Sequence, residues 1–234
     1  AAGQRPRRRT TKMTTEARKA IEAAMTAPQT LAYTVFDDID HTHKGNTYRC
    51  EWAQWTSNRQ QAAASRWPTA EMLGRELAEI EAAYPDEDVA AASAAAWASA
   101  KKGLPVEVGA SLSDGRRTDD TVESIGWLFL DVDGVEDPSG VYALHRLLDG
   151  VNHFICESAT SRTAGKGLRV HCYIQTAPFI LPSTAAVPRR EVKTWWKGFY
   201  AAVRTSLTAA VGLGFDTSVD DLAQPCFVAS TAGL

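Results

Sequence analysis

No run of about twenty apolar residues occurs in the sequence, and a membrane-crossing helix needs that many, so no transmembrane segment is expected. The first residues, Ala1-Ala2-Gly3-Gln4 and then Arg5-Pro6-Arg7-Arg8-Arg9, contain no apolar core and do not read as a secretory signal. Cysteine is sparse: Cys50, Cys156, Cys172 and Cys226 lie far apart with no CxxC, and they read as reduced thiols of a cytoplasmic protein. No internal repeat is present, which sets solenoids and propellers aside. An initiator Met is missing too, so an excised piece of a longer protein is expected. Net charge is also small, −3 over 234 residues, which excludes a protein that coats nucleic acid by bulk charge.

What remains is ordinary globular composition, 44% hydrophobic and 23% charged, enough for one large domain or two small ones sharing a core. The charge is uneven. Residues 1–19 hold seven Lys/Arg against Glu16, a net +6, and the rest of the chain therefore carries −9. Residues 1–28 read as a basic, solvated tail able to touch phosphates. Residues 29–234 read as a single domain, with a helix-rich N-terminal portion at 29–103 and a strand-rich portion at 104–234.

In the first portion, Thr30–Phe36 predicts a strand and Asp37–Asn46 a polar connection. Thr69 caps a helix carrying Met72, Leu73, Leu77, Ile80 and Tyr84, and Asp86 opens an Ala-rich helix that ends near Gly103. In the second portion, Val106–Ser111 predicts a short strand before the Asp114-Gly115 turn, and Ile125–Asp133 a central strand covered on both faces. A helix is predicted over Ser139–Leu148, and strands over His153–Glu157 and Leu168–Ile174. Pro188 opens a helix with Val192, Trp195, Trp196, Phe199, Val203 and Leu207 in one apolar stripe, and Cys226–Ser230 predicts a last strand. The whole reads as α+β (α/β).

Three segments carry candidate chemistry. In Phe129-Leu130-Asp131-Val132-Asp133-Gly134, strand alternation puts Asp131 and Asp133 on one face beside Trp127 and Phe129. Two carboxylates that close repel unless a cation lies between them, and hard oxygen ligands suit Mg²⁺ or Mn²⁺. A plain strand end, with Asp133-Gly134 starting a turn, is the structural alternative. In Ser161–Ile174, Leu168, Val170, Cys172 and Ile174 alternate with Arg169, His171 and Tyr173, so one face presents a guanidinium and an imidazole together. Lys166, between glycines in the preceding loop, adds a cation, a combination suited to polyphosphate. A purely structural histidine remains the alternative. Asp216, ahead of Asp220-Asp221, supplies a third carboxylate or simply shapes a turn.

In this order the motifs resemble the archaeo-eukaryotic primase superfamily, in the primase-polymerase branch found on phages and plasmids. Phe129–Asp133 matches its apolar strand ending in DxD, Ser161–His171 its loop and histidine strand, and Asp216 its later aspartate. The resemblance spans roughly residues 104–231, including a lead-in with Asp114-Gly115-Arg116-Arg117. One departure is Gln224, where the family often has a basic residue eight positions after the aspartate.

The resemblance implies an RRM-like catalytic sheet module packed on an N-terminal α/β, helix-rich unit. It implies two Mg²⁺ or Mn²⁺ ions on Asp131, Asp133 and Asp216, and a triphosphate gripped by His171, Arg169, Lys166 and Ser161. Arg116 and Arg117 would touch DNA. The implied partners are a single-stranded DNA template, nucleoside triphosphates and a helicase domain or protein beyond this chain, in the cytoplasm of a bacterial host.

Zinc at His41-x-His43 with Cys50 is not expected, because no fourth ligand is evident. Two rival readings stay open. One is a replication-initiator or single-strand-binding module of the same fold with weakened catalysis, in which the seven Trp offer stacking surfaces. The other is a haloacid-dehalogenase-like phosphatase with Asp131 as nucleophile and Asp133 as general acid. Against the phosphatase, its acidic pair Asp220-Asp221 follows no apolar strand, and the Arg169/His171 strand has no role in it.

Overall fold

The structure is a computed structural model describing residues 30–37, 39–40, 42–66, 102, 105–158, 161 and 167–227. The expected basic tail, the helices after Thr69 and Asp86, Lys166, His41 and the end of the last strand lie outside these residues. The described part is α+β.

Strands β1 (Leu31–Phe36) and β2 (Asn46–Cys50) form a hairpin, and helix α1 (Trp52–Arg66) follows. Next come β3 (Val106–Val108), β4 (Ala110–Leu112), a single 3₁₀ turn at Asp119–Thr121, and the long β5 (Val122–Val135). Helix α2 (Ser139–Leu147), β6 (His153–Glu157), β7 (Leu168–Ile180), helix α3 (Arg189–Val211) and β8 (Pro225–Phe227) complete the described chain. Two four-stranded sheets result, ordered β2-β1-β3-β8 and β4-β5-β7-β6, and every pairing in both is antiparallel.

The predicted strand at Val106–Ser111 is two strands in two different sheets, divided at Gly109. Gly109 accepts a hydrogen bond from Gly126 N (2.8 Å) where β5 bulges. A Cβ on Gly109 would lie 2.4 Å from Trp127 Nε1, and one on Gly126 would lie 2.7 Å from Leu31 Cδ1 and 3.1 Å from Ala32 O. The two glycines therefore let β1 and the β3–β4 crossover approach β5 more closely than any side chain permits.

β5 is buried on both faces from Trp127 to Leu130, as an apolar central strand should be. On one face Leu128, Leu130 and Val132 lie opposite Val170, Cys172 and Ile174, all in a core to which α2 contributes Val141 and Leu144 and α3 contributes Val192, Trp196 and Tyr200. On the other, Trp127, Phe129 and Tyr173 meet the N-terminal unit. Trp55 of α1 packs 4.8 Å from Trp127 and 5.4 Å from Tyr173, centroid to centroid. The strand edges run further than the sequence pattern indicated: β5 starts at Val122 and β7 continues to Ile180 because the two pair along nearly their whole length.

α3 starts after Pro188 and ends at Gly212, whose φ of 75° lets its N–H cap Thr208 O (2.8 Å). Its apolar stripe is narrower than expected. Val192, Trp196 and Tyr200 are buried, whereas Trp195 and Phe199 are exposed and stack on each other at 5.5 Å. Phe179 of β7 caps that stack 4.9 Å from Trp195. No helix among the described residues is long and apolar enough to cross a membrane.

Gly109→Ala forces Trp127 to move and should lower stability by about 1–3 kcal/mol. Gly198→Ala, inside α3 with nothing within 4 Å of the new Cβ, should instead raise it by about 0.5–1 kcal/mol. Urea denaturation of the two variants checks both signs.

Candidate active site

The candidate residues gather at one end of the β5–β7 pair. Register places Asp131 opposite His171 and Phe129 opposite Tyr173, with Cys156 of β6 on the far side of His171. His171 Nε2 lies 3.6 Å from Asp131 Oδ1, and the Phe129 ring meets the imidazole edge-on at 4.9 Å. Two residues along, the Arg169 guanidinium is ion-paired with the Asp133 carboxylate. Strand alternation alone accounts for this: four side chains at spacing two, on adjacent antiparallel strands, share one face.

Asp216 arrives from a different part of the chain. Its backbone N–H donates to Asp131 O (2.8 Å), which fastens the segment after α3 to the DxD strand. Its carboxylate accepts from Ser218 N (2.8 Å) and Ser218 Oγ (2.7 Å). The Ser218 backbone N–H holds the Asp216 carboxyl below its ordinary value, burial works the other way, and the Ser218 hydroxyl, Arg204 and Arg169 add to the lowering. Arg204, buried on α3, donates to Asp216 O (3.1 Å).

Other expected site residues are placed differently. Ser161 Oγ accepts from Arg169 N (3.1 Å), so its hydroxyl braces the start of β7 from a buried position. Arg117 reaches Ile39 O (2.7 Å) and lies over the Phe36 ring, tying the β4–β5 turn to the loop after β1. Arg116 is exposed and pairs with Asp114 (2.8 Å). Gln224 donates to Pro225 O (3.3 Å) and lines a small cavity with Trp127, Phe129, Trp196 and Tyr200. Asp220 and Asp221 pair with Lys193 and Lys197 of α3.

Beneath the site lies a network that sequence reading missed. Arg59 of α1 is fully buried. Its Nη1 donates to Glu107 Oε2 (2.5 Å), and its Nη2 donates to Tyr173 Oη (2.5 Å) and to Phe227 O (2.5 Å). Trp55 Nε1 donates to the same Glu107 oxygen (3.1 Å). Tyr173 Oη in turn lies 3.3 Å from His171 Nδ1. Burial pushes the Glu107 carboxyl up, while the Arg59 guanidinium and the Trp55 indole N–H pull it back. Signals for these residues were present: Glu107 is an acid inside an apolar strand, and Arg204 falls on the Val192–Trp196–Tyr200 stripe at the next interval of four.

Asp131, Asp133 and Asp216 are hard oxygen donors, chemically suited to Mg²⁺ or Mn²⁺. Among the described residues, no three His, Cys, Asp or Glu side chains converge as a ready metal group. Asp133 is turned to Arg169 and Asp216 to Ser218, so carboxylates and cations are interleaved, and a divalent ion would compete with Arg169 for the Asp133 carboxylate.

The family model described as BT4734-like, N-terminal domain matches residues 99–231. No curated protein sequence matches the chain. Among solved structures, the AEP domain (PP-N190) of the cyanophage S-2L primase-polymerase (PrimPol) is similar at 15% identity and a TM-score of 0.35, over 92% of this chain and 82% of that one.

Ser218→Ala should raise the Asp216 titration midpoint toward the ordinary carboxyl value of about 3.9. Because the native group titrates below its unfolded value, its stabilisation is present above the unfolded pKa and lost as pH falls through the folded one. The variant should therefore be less stable at neutral pH and converge with the parent in acid, as followed by carboxyl NMR titration and urea denaturation. Glu107→Gln leaves Arg59 buried without its counter-charge and should cost about 3–5 kcal/mol, read in the same denaturation experiment at pH 7.

Proposed function

The chain belongs to the family of BT4734-like N-terminal domains, and from that premise we propose that it is a template-dependent nucleotidyl transferase, a DNA primase or DNA polymerase using nucleoside triphosphates. The observation that carries this reading is the backbone bond from Asp216 N to Asp131 O, made beside the Asp131–His171 register pair. It brings three carboxylates from two distant segments to an imidazole and the Arg169 guanidinium at one end of a sheet. The matched residues 99–231 contain all of these groups, while Arg59 and its helix lie outside them. The order β5-α2-β6-β7-α3, with β5 and β7 central and antiparallel, supports an RRM-like catalytic module.

In this reading Asp131, Asp133 and Asp216 hold Mg²⁺ or Mn²⁺. Such ions supply neutralisation of triphosphate charge and activation of the attacking hydroxyl. The chain's own groups do the positioning. Arg169 exchanges Asp133 for phosphate oxygens as the anionic substrate enters, since a guanidinium binds either partner in a fork. His171 donates from Nε2 to a phosphate oxygen, and the Phe129 ring fixes the imidazole plane. Ser161 keeps Arg169 at the strand start through its backbone N–H. Arg204 steadies the Asp216 turn from below. Lys166, Arg116 and the basic N-terminal residues are proposed contacts to triphosphate and single-stranded DNA template, with a helicase domain or protein as a further partner.

A weakened, non-catalytic member of the same fold is the second reading, favoured by Gln224 in place of a cation. The phosphatase reading loses support, because Asp220 and Asp221 are held by α3 lysines.

Asp131→Ala and Asp133→Ala should each lower metal-dependent incorporation of labelled nucleotides on a primed or unprimed template by at least about 100-fold. DNA binding should stay within a few-fold of the parent. Undiminished incorporation by both variants rejects the proposal. A joint rise in Tm with Mn²⁺ and triphosphate, but no incorporation by the parent, selects the second reading.

A further inference from the structure

We infer that Arg59 is a positioning residue that sets the tautomer of His171 through Tyr173, so that the imidazole presents Nε2–H as a fixed donor to an anionic substrate. The assignment of that anion as a nucleoside triphosphate rests on the function proposed above; the tautomer does not.

A guanidinium has donors and no acceptor, so at 2.5 Å Arg59 Nη2 must donate to a lone pair of Tyr173 Oη. That leaves the single phenolic proton free to be donated elsewhere. Two atoms face it: His171 Nδ1 at 3.3 Å and the Cys226 thiol. The thiol sulfur, whose own proton goes to Glu107 O (3.2 Å), is a much weaker acceptor than an imidazole nitrogen. The phenol therefore donates to Nδ1, which must carry a lone pair, and in a neutral imidazole the ring proton then sits on Nε2. That proton lies on the Asp131 side of the ring, where Asp131 Oδ1 is 3.6 Å away.

Arg59 is well built for this task. It is fully buried, it lies over the Tyr173 ring at 4.3 Å, and Glu107 and Phe227 O anchor its Nη1 and Nη2. A donor that cannot rotate away fixes the hydroxyl orientation, and the hydroxyl orientation fixes the imidazole. Left alone, a neutral imidazole divides its proton between both nitrogens, and the Nδ1–H form would offer an approaching phosphate a repelling lone pair.

Long-range ¹H–¹⁵N correlation spectra of the ¹⁵N-labelled full chain, with His171 assigned from His171→Gln, test this without perturbing the network. The expected result is a protonated Nε2 and an unprotonated Nδ1. A mixture, an Nδ1–H tautomer or an imidazolium in the parent protein overturns the inference. Tyr173→Phe, which keeps the ring, should give a tautomer mixture and weaken metal-free ATP binding roughly three- to ten-fold. Arg59→Lys, which keeps the charge but cannot reach all three acceptors, should shift the tautomer in the same direction. A tautomer unmoved in both variants overturns the inference. The expected tautomers together with no ATP binding by the parent support the relay and reject the nucleotide reading.

Discussion

A guanidinium sealed away from water is the constraint on which the molecule turns. Taking Arg59 out of solvent costs several kcal/mol, and the short bonds from its two terminal nitrogens to Glu107, Tyr173 and Phe227 O are what offset it. Its acceptors come from β3, β7 and β8, which belong to two different sheets, while the group itself hangs from α1. A shift of either sheet by the length of one hydrogen bond would strand a buried charge. The aromatic side chains around it, Trp55, Trp127 and Tyr173, exclude water and so raise the penalty for misplacement. The sheet-to-sheet angle is thus held by an electrostatic requirement, with the close contact at Gly109 and Gly126 allowing the approach.

The site above it is organised by alternating sign. Carboxylates at 131, 133 and 216 would repel, yet Arg169 and Arg204 lie among them and Ser218 N–H satisfies the most distant in sequence. This explains why the small net charge of the chain says little about its ligands. What an approaching phosphate meets is a local field set by residues a few ångströms away, screened little because most of them are partly buried.

Periodicity makes β5, β7 and α3 legible, and alternation pairs Asp131 with Asp133 and Arg169 with His171, each on one face of its own strand; the register that sets the two pairs side by side has no such signal. β2 was missed because all its side chains but Cys50 face solvent, so no alternation marks it. α1 was missed for a related reason. Among its described side chains the buried ones are Trp55 and Arg59, one turn apart, and a charged residue does not register as core in an apolar stripe. The same blindness hid Arg204. The stripe on α3 was drawn one position too wide, because Trp195 and Phe199 are apolar yet bury against each other and Phe179 at the surface. The backbone tie between Asp216 and Asp131 had no sequence signal at all, since main-chain hydrogen bonds between loops and strands carry no residue-type signature.

The strand order β2-β1-β3-β8 has a consequence for how the protein is made. Synthesis runs from the N-terminus, so the hairpin and α1 emerge well before β8, yet β8 pairs with β3 and brings the Phe227 carbonyl that Arg59 needs. Until that strand leaves the ribosome, the guanidinium lacks one acceptor and the segment carrying Asp216 has nothing beyond it to anchor. The nascent chain holds every catalytic candidate but not the frame that aligns them. Whatever this site does, it acquires the ability only once β8 has emerged and paired.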